Sequence, residues 1–290
     1  MKSESLPRHL HDENRRSWNA ATEAHNSHKP DQAGFLRDRG HTLFPEELEL
    51  LGDLEGKKLL HLQCNAGQDS LSLAKLGALV TGVDISDTAI AFAEQLSRDS
   101  GIAGKFIRAD VFDWLADAVL KTDRYDIVFS SYGAICWLSD IYRWANCISK
   151  ILVPGGKLVL MEFHPYMILF EEDWSLKYDY FTYGKSMHWD EGIGDYVALA
   201  GSALSPMGQT GGVRDFRNPT PCNEWTWNIQ DILQSSIQAG LNIRTFKEYP
   251  YSNGAKLLDG MIEKPGRRVY PPTHLPALPL MFGLVAQKPD

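Results

Sequence analysis

From Lys57 to Phe163 the chain alternates short apolar, β-branched runs with segments of helical period, and no other feature limits its fold as tightly. The runs that read as strands are KKLLHLQ (57–63), GALVTGVD (77–84), KFIRAD (105–110), RYDIVFSSY (124–132) and KLVLMEF (157–163). A helix is expected over Gln68–Leu76. Ser86 can cap a second, whose Ala89, Ile90, Ala93 and Leu96 share a face and which Gly101 stops. SDIYRWANCISKIL (139–152) repeats the period through Ile141, Trp144, Ile148 and Leu152, until Pro154-Gly155-Gly156 ends it. The fourth run is an unbroken apolar stretch, as in a strand buried on both faces. Strands linked by helical crossovers run parallel, so the expected fold is α/β with an open, doubly wound sheet.

Outside that block the pattern loosens. Residues 1–35 are polar and rich in His, Asn and charge, with Trp18 isolated among them, and PEELELLGDLEG (45–56) reads as a helix end and a connector. From His164 to Trp225 the sequence is aromatic and acidic with weak periodicity. A structureless loop of that length is improbable, so the stretch should hold elements of its own. Order returns at Asn228, the cap of a helix carrying Ile229, Ile232, Leu233 and Ile237 and closed by Gly240. LNIRTFKEY (241–249) and LPLMFGLVAQKP (278–289) read as final strands.

With 43% hydrophobic and 23% charged residues, the 290-residue chain has the balance of an ordinary globular protein. No window approaches a membrane span, so no membrane partner is expected. MKSESLPRHLHDENRRSW lacks the apolar centre of an export signal. Cys64, Cys136, Cys147 and Cys222 are scattered, without a CxxC pair or a His at metal spacing, so reduced thiols of a cytoplasmic protein are expected, and no metal. A net charge of -8 and the lack of a dense basic run argue against nucleic acid. The nearest basic cluster, KPGRR (264–268), reads as a solvated loop. Nothing in the sequence specifies an oligomeric state.

Ligands of an open parallel sheet bind beyond the carboxyl ends of its strands. Those ends offer Gln63 to Gly67, Asp84, Asp110, Ser130 to Tyr132, and Glu162 to His164. Asp84 is the sharpest. An acid at the tip of the second strand, about twenty residues past the turn, is placed to accept hydrogen bonds from ribose hydroxyls, while Ser86 supplies the helix cap. Asp110 either bonds an adenine amino group or caps the helix at Val111–Leu115. The turn disfavours a dinucleotide, because the side chains of Gln63 and Asn65 crowd the approach of a pyrophosphate to the backbone and leave only Gly67. No P-loop lysine is present either. S-adenosylmethionine, with ribose and adenine but no phosphate, suits such a turn.

VTGVDIS with its preceding turn, RYDIVFSSYG and LVPGGKLVLMEF resemble the successive motifs of class I S-adenosylmethionine-dependent methyltransferases, over residues 57–163. The resemblance implies a Rossmann-like, doubly wound, mostly parallel seven-stranded sheet, completed by the two final strands, with an inserted substrate-covering region. The family's turn reads acid-x-Gly-x-Gly-x-Gly; here His61, Gln63 and Asn65 take three of those places and Gly67 alone matches. A small-molecule subgroup with HLQC at the turn and EFHP after strand five (Glu162-Phe163-His164-Pro165) is more similar. By this resemblance Gln63 binds the amino-acid portion of the cofactor through its backbone, with Asn65 and Gly67 completing the turn. Asp84 and Ile85 hold ribose and adenine, Asp110 and Val111 sit at the adenine, and Ser130 lines the methionine end. Trp18 and His25 belong to a lid. His61 removes the usual acid opposite the cofactor's ammonium. The implied division is an N-terminal helical lid (1–45), a cofactor-binding core (46–163), a substrate-cap insertion (164–225) and the C-terminal part of the core sheet (226–290).

Methyl transfer asks a protein for in-line positioning and exclusion of water, and for a general base only where the nucleophile must lose a proton. Candidates for that base are His164, Glu162 and Tyr132, a histidine suiting the task best; Glu162 and His164 can equally make structural hydrogen bonds. Ser130-Ser131-Tyr132-Gly133 is not the Asn-Pro-Pro-aromatic signature of amide and nucleobase methylation, and Asp140 is the only carboxylate near for a metal-dependent reaction. Trp174, Tyr178, Tyr180, Phe181, Tyr183, Trp189, Trp225 and Trp227 read as walls of a pocket for an apolar or cationic small molecule, an amine or an aromatic compound, or as a secondary core. Glu171, Glu172, Asp173, Asp190 and Glu191 could draw an amine. The resulting reading is methylation of an N or O atom of a small molecule. A non-catalytic module that keeps the pocket and a nicotinamide-dependent oxidoreductase are the alternatives.

Overall fold

The computed structural model describes residues 5–290; the first four residues of the expected lid, and of the stretch read for an export signal, lie outside it. The chain begins with α1 (Arg8–Ser27), then α2 (Gln32–Gly34) running on as a π turn over Phe35–Arg39, and α3 (Pro45–Leu51). The alternating block follows as β1 (Lys58–Leu62), α4 (Gln68–Lys75), β2 (Leu79–Asp84), α5 (Asp87–Ser100), β3 (Lys105–Arg108), α6 (Val111–Leu120), β4 (Tyr125–Ser131), α7 (Ile141–Ile151) and β5 (Leu152–Phe163). The stretch of weak periodicity holds β6 (Ser186–Trp189), α8 (Tyr196–Ala200) and β7 (Cys222–Trp225). Then come α9 (Ile229–Gln238), β8 (Asn242–Tyr249), β9 (Ser252–Asn253), β10 (Ile262–Lys264), β11 (Arg268–Tyr270) and β12 (Met281–Gln287).

Seven strands form the central sheet in the order β3-β2-β1-β4-β5-β12-β8. Every pairing is parallel except those of β12, which runs against both β5 and β8. Chain order reverses between β1 and β4, the place where such sheets open a crevice. Alternate residues divide between two cores. Leu60, Leu62, Val128, Leu158 and Leu160 pack on one face with Trp144 of α7, and Leu59, Ile127, Phe129, Val159 and Met161 on the other with Leu50 and Leu51 of α3. A period of two with both faces apolar is what covers a sheet with helices on each side.

Three sequence expectations change here. The fifth strand starts at Leu152, because Pro154-Gly155-Gly156 forms a bulge rather than a break: the register jumps from Tyr125 opposite Leu152 to Ile127 opposite Lys157. The chain end pins that bulge, with Gly155 N donating to Lys288 O at 3.2 Å and Lys288 N to Gly156 O at 2.8 Å. PEELELL is a complete short helix, with Pro in its first turn and Glu47 accepting from Phe44 N at 2.6 Å. KPGRR is no solvated loop. It is the turn of a hairpin in an additional three-stranded sheet, β10-β11-β9, where Arg267 lies 3.9 Å from the Phe44 ring centre and Arg268 pairs with Glu46. Among the described residues no helix is long and apolar enough to cross a membrane.

Candidate functional site

A cavity of about 680 Å³ lies beyond the ends of β1, β2, β4 and β5. Its floor is the turn after β1, where Gln63, Asn65 and Gly67 have φ of 55°, 48° and 80°. The left-handed region costs a side-chain-bearing residue about 1–2 kcal/mol, least for Asn. The backbone therefore keeps a glycine-like path although two glycines are absent. Gln63 is held by its side-chain amide, which donates to Ala134 O. Asn65 accepts from Ala66 N at 2.6 Å with its side chain and donates its own backbone N–H to Asp84 Oδ2 at 2.8 Å.

Asp84 also accepts from Ser86 N at 2.8 Å, while Ser86 Oγ caps α5 by accepting from Ala89 N at 3.1 Å. Burial raises the Asp84 carboxyl to about 6, against the opposing pull of the backbone N–H bonds from Ser86, Asn65 and Ile85. A carboxylate offers about four acceptor positions, so lone pairs remain for a ligand. Asp84 and Ile85 both stand on the cavity wall. Asp110 and Val111 stand there too, but Asp110 is engaged: Phe112 N donates to Oδ1 at 2.8 Å, and Oδ2 lies 2.6 Å from His11 Nδ1 and 2.7 Å from Arg8 Nη1. The bond from His11 is the largest influence opposing burial, and the carboxyl sits below its usual range. It caps α6 and anchors α1.

The roof is α1. His11, Asn14, Trp18 and His25 all line the cavity, at spacings of three, four and seven that share one helical face. Trp18 stands edge-on to Trp137, with ring centres 5.4 Å apart. His25 Nε2 donates to Gly194 O at 2.9 Å, and burial lowers the ring to about 4, so it is neutral. Asn14 and Asn223 of β7 bond reciprocally, Asn14 Nδ2 to Asn223 O at 2.8 Å and Asn223 N to Asn14 Oδ1 at 2.7 Å. Asn14 and His11 were not singled out from the sequence, although both fall on the stripe of Trp18.

The expected residues at the ends of β4 and β5 separate. Tyr132 is on the wall, its phenol accepting from Asn253 Nδ2 at 2.8 Å; burial and the neighbouring Glu47 push its pKa well up, so it stays protonated. Glu162 is also on the wall, but its oxygens take backbone N–H bonds from Gly133, Ala134 (2.8 Å), Ile135 (3.1 Å) and Phe163 (2.7 Å). Burial raises its pKa in spite of them. It holds the loop after β4 in shape.

Three expected site residues lie off the wall. His164 follows the end of β5 and reaches past Phe282 of β12 toward the edge strand β8, its Nδ1 accepting from Tyr166 N at 3.1 Å and its Nε2 3.1 Å from Glu248. Ser130 is fully buried, because strand alternation turns its neighbour Ser131 to the cavity instead. At Gly67 a Cβ would stand 2.6 Å from Ala93 Cβ and 3.0 Å from the Phe106 ring, so this glycine serves the packing of α4. Asp140 caps α7 by accepting from Arg143 N at 2.8 Å.

The cavity is acidic. Asp69, Asp84, Asp110, Glu162, Glu191 and Glu224 face it, against Lys29 as the one Lys or Arg among the described residues. Burial lowers Lys29 to about 8, with Asp69 pulling the other way. His61 is buried with Nδ1 2.8 Å from Ser70 Oγ, and burial lowers it to about 4. Such a lining favours a cation and opposes a pyrophosphate. Of the expected aromatic wall, Trp189, Trp225 and Trp227 reach the cavity, joined by Trp137 and Tyr196. Trp174 instead donates to Asp259 O at 2.7 Å, and Phe181 and Tyr183 are exposed. Among the described residues no group of His, Cys, Asp or Glu is arranged to hold a metal ion.

Comparison with known proteins bears on this arrangement. Residues 60–160 match the family model described as a methyltransferase domain. A solved S-adenosylmethionine-dependent methyltransferase from Mesorhizobium loti superposes with a TM-score of 0.54, covering 86% of this chain and 99% of that one at 17% identity. The fold is that of S-adenosylmethionine-dependent methyltransferases. A ubiquinone biosynthesis O-methyltransferase of Rhizobium leguminosarum bv. trifolii (strain WSM2304) is 29% identical over 127 residues, 44% of this chain and 48% of that protein. Thiocyanate methyltransferase 1 of Arabidopsis thaliana is 30% identical over 102 residues, 34% of this chain and 42% of its own. The chain thus spans about half the length of the curated relatives it matches, and the family model falls on the β1–β5 block.

Proposed function

We propose that this chain is an S-adenosylmethionine-dependent methyltransferase acting on a small molecule held between the β1 turn and the inserted segment. The observation that carries the reading is the pairing of a glycine-like turn that bears the Gln63 and Asn65 side chains and an acid, Asp84, tied to it by Asn65 N at 2.8 Å. The acidic lining supports a cationic cofactor, and the match of residues 60–160 supports the chemistry. When bound, S-adenosylmethionine supplies an electrophilic methyl group on a sulfonium.

The chain's own residues bind, orient and exclude water. Asp84 would accept from the ribose hydroxyls, Ile85 and Val111 would hold the adenine, and the backbone at Gln63 and Asn65 would receive the amino-acid end. Trp18 and His25, on a helix bonded to the insertion, close the site against water, which strengthens every charge interaction inside it. The neutral His61 takes no part in charge balance, so Lys29 and Asp69 are left to meet the cofactor's carboxylate and ammonium. Residues 164–225 serve as the substrate cover and 1–45 as the lid. The four unpaired thiols favour a reducing compartment, the cytoplasm.

Calorimetry with S-adenosylhomocysteine and with NAD tests the reading. Saturable binding of S-adenosylhomocysteine, weakened strongly by Asp84→Ala, is the expected result. Binding of NAD without a response to S-adenosylhomocysteine refutes it.

A further inference from the structure

We propose that Glu224 is the group that receives the substrate, and that the substrate is therefore a primary or secondary amine with an apolar or aromatic body; this rests on the methyltransferase reading above. Cys222 and Glu224 are two residues apart on β7 and both face the cavity, while Asn223 between them is bonded to Asn14 and Glu13. Cys222 packs in one cluster with Trp18, Trp137 and Trp189, so Glu224 opens into the aromatic end of the chamber. Trp189 Nε1 donates to Glu224 Oε2 at 3.0 Å. Among the described residues Oε1 has no hydrogen bond, and no Lys, Arg or His pairs with the side chain.

The other acids of the wall differ. Asp84 braces the turn, Asp110 is paired with His11 and Arg8, and Glu162 is occupied by backbone N–H groups. Glu191 lies exposed at the rim. A carboxylate withdrawn from water and lacking a counter-ion is costly, and an ammonium supplies that partner while the tryptophan faces add cation–π attraction. A carboxylate or phosphate substrate would bring like charge to the same place. Burial lifts Glu224 to about 7, which suits exchange of a proton near neutrality. An amine arrives as its ammonium. One N–H bond breaks, the proton passes to Glu224 Oε1, and the electron pair stays on nitrogen as the nucleophile. The carboxyl later returns the proton to water.

The test uses paired probes of equal shape, 2-phenylethylamine against 2-phenylethanol and tryptamine against tryptophol, added to the whole protein with and without S-adenosylhomocysteine. Tryptophan fluorescence and calorimetry report binding. The amine of each pair should bind tighter than the alcohol, and Glu224→Gln should weaken the amine roughly tenfold or more, the worth of one hydrogen bond to a charged group, while changing the alcohol little. A circular-dichroism spectrum and melting temperature of Glu224→Gln like those of the wild type show that the variant is folded; should it fail, Glu224→Asp, which keeps the charge but shortens the reach, replaces it. Alcohols binding as well as amines, no amine binding to a protein that binds S-adenosylhomocysteine, or an unaltered amine affinity in the variant overturns the proposal. Loss of S-adenosylhomocysteine binding by the wild type instead counts against the methyltransferase reading, and the fluorescence titration without cofactor still decides the amine site.

Discussion

Replacing Asp84 with asparagine should make the stability of this protein less sensitive to pH, and the size of the effect follows from the site. Burial raises the Asp84 carboxyl from 3.8 to about 6. The native state therefore binds that proton more tightly than the unfolded chain. Its stabilising contribution is fully present below the unfolded value and is lost as pH rises through about 6. A shift of about two units amounts to about 3 kcal/mol, roughly half of it lost above pH 5. The amide of Asp84→Asn does not titrate. It also keeps one acceptor oxygen for two donors, Asn65 N and Ser86 N, which costs about 1–3 kcal/mol at every pH. The variant should thus be the weaker protein at pH 5, and its deficit should shrink by about 1–2 kcal/mol on going to pH 8. Urea unfolding of both proteins at the two pH values measures this, because groups common to both cancel in the difference. A difference that stays flat, or that widens with pH, refutes the claim that Asp84 is held ionised against the cost of burial. In the same variant S-adenosylhomocysteine affinity should fall, since the side chain would no longer accept from both ribose hydroxyls.

Glu162→Gln should destabilise by about 2–4 kcal/mol, since a neutral amide cannot replace an acceptor of backbone N–H groups on both oxygens; faster amide exchange at Gly133–Ile135 would locate the damage. Asn14→Ala should cost about 2–3 kcal/mol in denaturant unfolding, because it orphans the buried N–H and C=O of Asn223. Gly67→Ala should lower the melting temperature sharply, as the new Cβ meets both the left-handed φ of 80° and Ala93; a melting temperature within a degree or so of the wild type would show that α4 can shift to make room.

The sheet is legible in the sequence where physics is periodic. β1, β2, β4 and β5 alternate between two cores, and the Ser86 cap and Gly101 stop of α5 stand where expected. The sheet of β9, β10 and β11 is not legible, because strands of two or three residues carry no period. The site follows the same division. The positions of Asp84, Gln63 and Tyr132 at strand ends come directly from the alternation, whereas Ser130 and His164 miss the cavity by one step of strand alternation and by the turn past β5. Glu224 is hidden because CNEW is too short to show which of its residues face inward. That Gln63 adopts a φ of 55° is unreadable, since its side chain predicts the opposite.

The seam between Asn14 and Asn223 sets a kinetic property. α1 roofs the cavity and is bonded to β7, so lifting either element widens the way out for a molecule bound beneath. Residence time is then governed by the strength of the seam and not by contacts on the floor alone. Weakening it should speed association and dissociation together and leave the equilibrium constant nearly unchanged. Loss of Asp84, by contrast, should act on dissociation alone, so stopped-flow traces of the two variants should distinguish roof from floor.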